Sequence, residues 1–235
     1  MPVKRAPLYL IASGRGPGRP RGPDPFLGEI IRTAGVPKPT IAYVGAASGD
    51  NAAFRLLVGG MLKKAGAGKV LLAPLCGRRA DPARATEVLK NAHIVFISGG
   101  DVEEGMKVLK ETGMLPALRA LRRAGKPFFG ISAGSIMLAS RWVRWPDPDN
   151  DASAELFPCM GFADILCDTH GEGEGWGELK AMLALCPAGT AGYGIVSGSA
   201  LRLDSDGSVV PLGGPVDVFR RRAKGVVQEK SIAPL

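Results

Sequence analysis

Gly130-Ile131-Ser132-Ala133-Gly134 places a serine between small residues. The apolar run Lys126–Ile131 precedes it, and a helical pattern over Ala133–Ala139 follows. A G-x-S-x-G segment between a strand and a helix is a nucleophile elbow, a turn so tight that a bulky neighbour would clash. It sets the hydroxyl at a helix N-terminus, where the Ala133 N–H and the helix dipole can face a developing oxyanion. The plainer reading is that Ser132 only caps the helix while the glycines ease packing.

A serine hydroxyl needs a base to remove its proton. The chain has two histidines. His93 begins the apolar run His93–Ser98 and so lies at the end of that strand opposite to its C-terminus. His170 follows the strand-like Ala163-Asp-Ile-Leu-Cys-Asp168 and precedes a Gly/Glu segment, Gly171–Gly177, read as a flexible loop. That location suits general-base chemistry, and a surface-loop histidine of no consequence is the alternative. Gly99-Gly100 closes the His93–Ser98 strand. Glycine lets a backbone N–H approach a ligand without a Cβ in the way, which makes Gly100 a candidate second oxyanion donor beside Ala133.

The elements needed to position these groups follow from the alternation of short apolar runs with helical patterns. Strands are expected at Pro7–Ser13, Thr40–Gly45, Lys69–Leu75, His93–Ser98 and Lys126–Ile131. Helices are expected at Phe26–Ala34, Asn51–Ala65, Pro82–Asn91, Val102–Glu111 and Leu115–Ala124. Continuous apolar strands separated by helices predict a mostly parallel sheet covered on both faces, a three-layer α/β sandwich. Ligands of such sheets sit at the C-terminal strand ends, where Gly99-Gly100 and Ser132 both fall. Gly14–Pro25 reads as a Gly/Pro/Arg loop at the same rim. After Trp145 come a polar loop at Pro146–Asp151, the Ala163–His170 strand and a Gly177–Leu185 helix. Gly192–Asp204 and Ser208–Leu212 read as strands joined at Asp206-Gly207, a C-terminal β-hairpin addition, with Val216–Arg220 completing a sheet edge. No repeat or long linker divides the chain, so residues 1–235 are expected to form one catalytic domain.

Composition narrows the class. The 235 residues are 46% hydrophobic and 22% charged, ordinary globular values. No apolar stretch approaches the roughly 18 residues of a membrane span, and no signal peptide is evident. Cys76, Cys159, Cys167 and Cys186 form no C-x-x-C pair, so neither zinc nor redox-dithiol chemistry is indicated, and a cytoplasmic location is expected. The net charge is +8. The basic residues cluster only at Arg15/Arg19/Arg21 and Arg220/Arg221/Arg222 without a nucleic-acid-binding motif, so no nucleic-acid partner is expected.

These motifs resemble the peptidase family of aspartyl dipeptidase (peptidase E) and cyanophycinase, within the class I glutamine amidotransferase-like fold. The resemblance runs from about Leu8 to Phe219. It rests on Tyr43–Asp50, Ser98–Asp101, Gly130–Ser135, Asp168-Thr-His170 and Gly192–Leu201. Amidotransferases of the fold carry cysteine at the elbow, so Ser132 points to the peptidase branch. The resemblance implies Ser132 as nucleophile, His170 as base, Gly100 and Ala133 as oxyanion donors, and hydrolysis of a small peptide through an acyl-enzyme. It implies no metal and no organic cofactor. A homodimer is compatible with it.

Two departures from the family pattern stand out. The acid that orients the histidine in the family maps onto Ser197. Asp168, Glu172 and Glu174 are the alternatives left open for fixing the imidazole. The segment after His170 also lacks arginines for an acidic substrate side chain, which argues against aspartyl specificity. Three readings therefore stand: a serine-type peptidase acting on short peptides or isopeptides, an esterase or amidase on the same scaffold, and a non-catalytic binding module that kept the elbow.

Overall fold

A computed structural model describes residues 6–12 and 25–234. Most of the Gly14–Pro25 segment, with Arg15, Arg19 and Arg21, and the expected strand end at Ser13 lie outside the described residues.

The central sheet forms where the apolar runs were expected. Its parallel strands are β1 (Leu8–Ile11), β2 (Thr40–Val44), β3 (Lys69–Ala73), β4 (Ile94–Ile97) and β5 (Phe128–Ile131). Side chains on a strand alternate between faces, and the core divides accordingly. Leu8, Leu10, Ala42, Val44, Val95, Ile97 and Phe128 pack on one face. Tyr9, Ile11, Ile41, Tyr43, Ile94, Phe96, Phe129 and Ile131 pack on the other.

Helices α1 (Pro25–Arg32) and α2 (Ala52–Lys64) cover the second face. Helices α3 (Pro82–Asn91), α4 (Val102–Glu111), α5 (Met114–Arg123) and α6 (Ala133–Leu138) cover the first. The result is the expected three-layer sandwich. Helix starts follow their capping residues: Asn51, Asp81 and Asp101 each accept a hydrogen bond from the N–H three residues on.

The chain after α6 departs from the expected layout. Arg141–Arg144 (β6) and Glu155–Pro158 (β7) form a two-stranded antiparallel ribbon, two strands too short for their apolar residues to stand out in the sequence. Leu166–Thr169 (β8) begins later than expected. Helix α7 spans Gly177–Ala184. The single strand expected over Gly192–Asp204 is two: β9 (Ala191–Ile195) and β10 (Ala200–Leu203), which belong to different sheets. The turn at residues 196–199, with Gly198 at φ 82°, carries the chain from one sheet to the other.

β10 and β11 (Val209–Leu212) are the expected hairpin, added antiparallel to β1 to give the order β11-β10-β1-β5-β4-β2-β3. β12 (Val216–Arg222) is not an edge strand. It lies between β9 and β13 (Gly225–Gln228) in a second sheet of order β13-β12-β9-β8. α6 sits between the two sheets, with all six of its residues buried.

Candidate active site

β1, β5 and β4 are neighbours in the central sheet, so their C-terminal ends converge. Ser132 follows β5 directly, and its N–H donates to the Ile11 carbonyl at the end of β1 (2.8 Å). The serine has φ 54° and ψ −127°, a conformation sparsely populated for any residue with a Cβ. The surroundings enforce it. A Cβ at Gly130 would lie 2.4 Å from the Gly134 carbonyl oxygen, and one at Gly134 would lie 2.2 Å from that of Ile97. The small residues flanking the serine therefore let β5, α6 and β4 meet.

Ser135, quoted above only as part of the elbow motif, is a structural residue whose function was not read from the sequence. Its buried hydroxyl accepts from the Ile11 N–H (2.8 Å) and donates to the Ile11 carbonyl (2.9 Å). It ties the first turn of α6 to β1. A serine three positions past the nucleophile is all the sequence shows of this role.

The Ser132 hydroxyl makes no capping bond to α6. It lies 2.7 Å from His170 Nε2 instead. This excludes the plain capping role and brings together the two residues read as nucleophile and base. His170 comes from the second sheet. It follows β8, has φ 46°, and its N–H donates to the Ile195 carbonyl at 2.9 Å. His93 is far from this chemistry in role as well as place: its Nδ1 accepts from the Thr40 N–H at the N-terminal side of β2.

Gly171–Gly177 is built as a hydrogen-bonded turn. Glu172–Glu174 form a 3-10 turn, and Trp176 is buried with its indole N–H donating to Asp217 (2.9 Å). A Cβ at Gly194 of β9 would lie 2.7 Å from the Trp176 ring, so the glycine of that strand makes room for the indole. The clamped turn fixes the residues on either side of it, His170 included.

The three acids left open by the sequence are separated by this turn. Asp168 is 5% exposed and its Oδ1 accepts from the Thr169 N–H at 2.7 Å. Burial pushes its carboxyl up to about 6, despite the Thr169 hydrogen bond, with the negative charge of Glu174 adding to the shift. Glu174 adds its charge beside Asp168, and among the described residues none of the three carboxylates is hydrogen-bonded to the His170 ring. Glu172 turns to the position where the family acid was expected: its Oε1 accepts from the Ser197 N–H at 3.1 Å. Partial burial opposes its ionisation, but hydrogen bonds from Ser197 and from its own backbone N–H, with the charge of His170 adding a little, outweigh this and hold its carboxyl below the usual range.

Gly100 adopts φ 141°, open in practice only to glycine, and a Cβ there would lie 1.9 Å from the Ala47 carbonyl oxygen. That carbonyl also accepts from the Asp101 N–H (2.8 Å). The underlying turn at Ala46–Ser48 is anchored by Asp50, whose Oδ2 accepts from the N–H groups of Leu75 and Cys76 (2.7 and 2.8 Å). Tyr43–Asp50 thus builds the floor beneath Gly100. Among the described residues, neither the Gly100 nor the Ala133 N–H has a protein acceptor.

Two cavities meet at the serine, and Gly100, Ser132 and His170 line both. The smaller, about 300 Å³, also carries Ala133, Asp101, Asp168, Glu174 and Glu178. Its wall is acidic and, among the described residues, holds no lysine or arginine. Burial, and then repulsion from Asp168, raises the Glu178 carboxyl. The larger, about 740 Å³, is walled mainly by apolar side chains. Among the described residues no group of three or more His, Cys, Asp and Glu side chains is placed to hold a metal. No helix among them is long and apolar enough to cross a membrane.

The model of peptidase family S51 matches residues 8–210. Peptidase E of Salmonella gallinarum is 29% identical over 167 residues, covering 66% of this chain and 68% of that protein. The pyridoxal 5'-phosphate synthase subunit PdxT of Geobacillus stearothermophilus is 26% identical over 120 residues, 51% of this chain and 56% of its own length. The chain thus spans little more than half the length of its PdxT relatives. Among solved structures, a peptidase from an acI-B1 Actinobacterium superposes with TM-score 0.71 at 20% identity, covering 98% of this chain and 97% of the other. A putative peptidase E protein from Listeria monocytogenes EGD-e gives TM-score 0.58 at 15% identity, with coverages of 88% and 98%. The fold expected from the motifs is the one these structures share.

Proposed function

The chain belongs to peptidase family S51, and from that premise we propose that it is a serine-type hydrolase cleaving short peptides through an acyl-enzyme on Ser132. The observation that carries this reading is the 2.7 Å approach of the strained Ser132 hydroxyl to His170 Nε2. Ser132 Oγ attacks the scissile carbonyl carbon while His170 Nε2 takes its proton. The Gly100 and Ala133 N–H groups hold the oxyanion. His170 passes the proton to the departing amine, which leaves Ser132 esterified. Water then attacks the ester carbonyl with His170 again as base, which releases the acid and restores the hydroxyl.

Glu172 is the orienting carboxylate in this scheme. The family position for that acid is Ser197 here, and Ser197 holds Glu172 through its N–H. A carboxylate kept ionised beside His170 favours the tautomer that leaves Nε2 free to accept, and stabilises the imidazolium once formed. The acidic wall of the smaller cavity disfavours an acidic substrate side chain, so aspartyl dipeptides are not the preferred substrates. A cytoplasmic setting, with the four cysteines as free thiols, accompanies the reading.

Fluorophosphonate labelling tests it. Ser132 is expected to be labelled in the folded protein, and a dipeptide panel is expected to be hydrolysed by the wild type but not by Ser132→Ala or His170→Ala. A folded protein that resists labelling at Ser132 overturns the assignment.

A further inference from the structure

The larger cavity is unlike the rest of the site. α2 presents Phe54, Leu57, Val58 and Met61 to it, and Ile131 closes it beside the nucleophile. Among the described residues His170 is the one side chain in its lining that can carry charge, and the remaining polar side chains there are Ser48, Asn51 and Ser132. Leu57 is 64% exposed although it stands at the wall of this concavity. A volume of about 740 Å³ far exceeds what one water-filled gap needs and matches the size of sites for small organic ligands. Uncovered apolar walls gain free energy when an apolar group displaces water from them.

We propose that this cavity is a substrate-specificity pocket that seats a large aliphatic or aromatic side chain on one of the two residues flanking the scissile bond. The inference rests on Ser132 being the nucleophile, because the occupant is placed by its attachment to the carbon that Ser132 attacks. The cavity contains Ser132, Gly100 and His170, so a group filling it stays covalently close to nucleophile, oxyanion donor and base. Phe54, Leu57 and Met61 are the specificity-determining residues. Their spacing along α2 puts them on one helix face, three or four residues apart.

Labelling kinetics separate this inference from the reading beneath it. The probes are fluorophosphonates in which the phosphorus-bound alkyl arm or the alkoxy arm is lengthened from methyl to octyl. These arms project to the two sides of the phosphorus that stands in for the scissile carbon. The second-order rate of Ser132 labelling is expected to rise about tenfold or more as one of the arms lengthens. Leu57→Arg, at an exposed position, and Phe54→Ala are each expected to cut the octyl-to-methyl rate ratio to about twofold or less. A rate independent of both arm lengths, with Ser132 still labelled, overturns the pocket and leaves the nucleophile standing. An increment that survives both substitutions also overturns it. Absence of labelling by every probe overturns the nucleophile assignment, and the pocket with it.

Discussion

The carboxylate of Glu172 accepts a hydrogen bond from the backbone N–H of Ser197 at 3.1 Å, so an acid carried by the turn after β8 reaches the turn after β9, where this chain holds a serine at the position read as that of the family acid. This makes the proposed triad testable by exchange. Glu172→Gln is expected to lower kcat/KM by about 10²-fold or more, since an orienting carboxylate contributes strongly to a serine–histidine pair. Adding Ser197→Glu to that variant is expected to recover part of the loss. A purely structural role for Glu172 would show in thermal stability and not in a recovery of kcat by an acid on the other turn.

Removal of either member of the dyad should have nearly the same effect as removal of both, because the two act as a unit. Ser132→Ala, His170→Ala and the double variant are each expected to fall by about 10⁴-fold or more in kcat, measured on the best dipeptide of a panel. Losses that multiply in the double variant would show that the residues act separately.

Gly100→Ala places a methyl group where the Ala47 carbonyl oxygen already lies, at a φ that only glycine adopts readily. The backbone must shift, and with it the N–H proposed to bind the oxyanion. A loss of about 10²-fold or more in kcat is expected. It should come with a lower Tm in thermal denaturation.

Asp168 gives the fold a pH dependence opposite to that of a salt-bridged acid. Its folded pKa, about 6, lies above the ordinary value of 3.8, so the folded state retains a proton that the unfolded state gives up. The Asp168 contribution to stability therefore falls as pH rises from about 4 to about 6, and the whole penalty is present above that window. A shift of about two units corresponds to up to about 3 kcal/mol. Asp168→Asn, whose amide oxygen can still accept from the Thr169 N–H, is expected to be more stable than wild type at pH 7. The gap should close near pH 4, as read by urea denaturation at both values.

The central sheet was legible because its strands are buried on both faces, and buried strands are written as unbroken apolar runs. The elbow was legible because close packing at Gly130 and Gly134 restricts those positions to glycine. The second sheet was harder to read. Arg141–Arg144 holds only two apolar residues, Trp142 and Val143, between two arginines on a short ribbon, and the Gly192–Asp204 run conceals a change of sheet at Gly198, a tertiary event without a periodicity of its own. The Gly171–Gly177 segment looked flexible because glycine and glutamate dominate it, yet one residue, Trp176, buries itself and orders the turn. The turn that carries Glu172 to Ser197 follows a positive φ at His170, which no local pattern announces.

Nucleophile and base stand on different sheets, with the buried helix α6 between them. The 2.7 Å contact of Ser132 with His170 is therefore a gauge of how the two sheets are docked. Each sheet can keep its own hydrogen-bond ladder while they slide by an ångström, and the dyad cannot. On gentle warming, hydrolysis is expected to fade at a lower temperature than the far-ultraviolet circular dichroism signal, with catalysis serving as the more sensitive reporter of tertiary order.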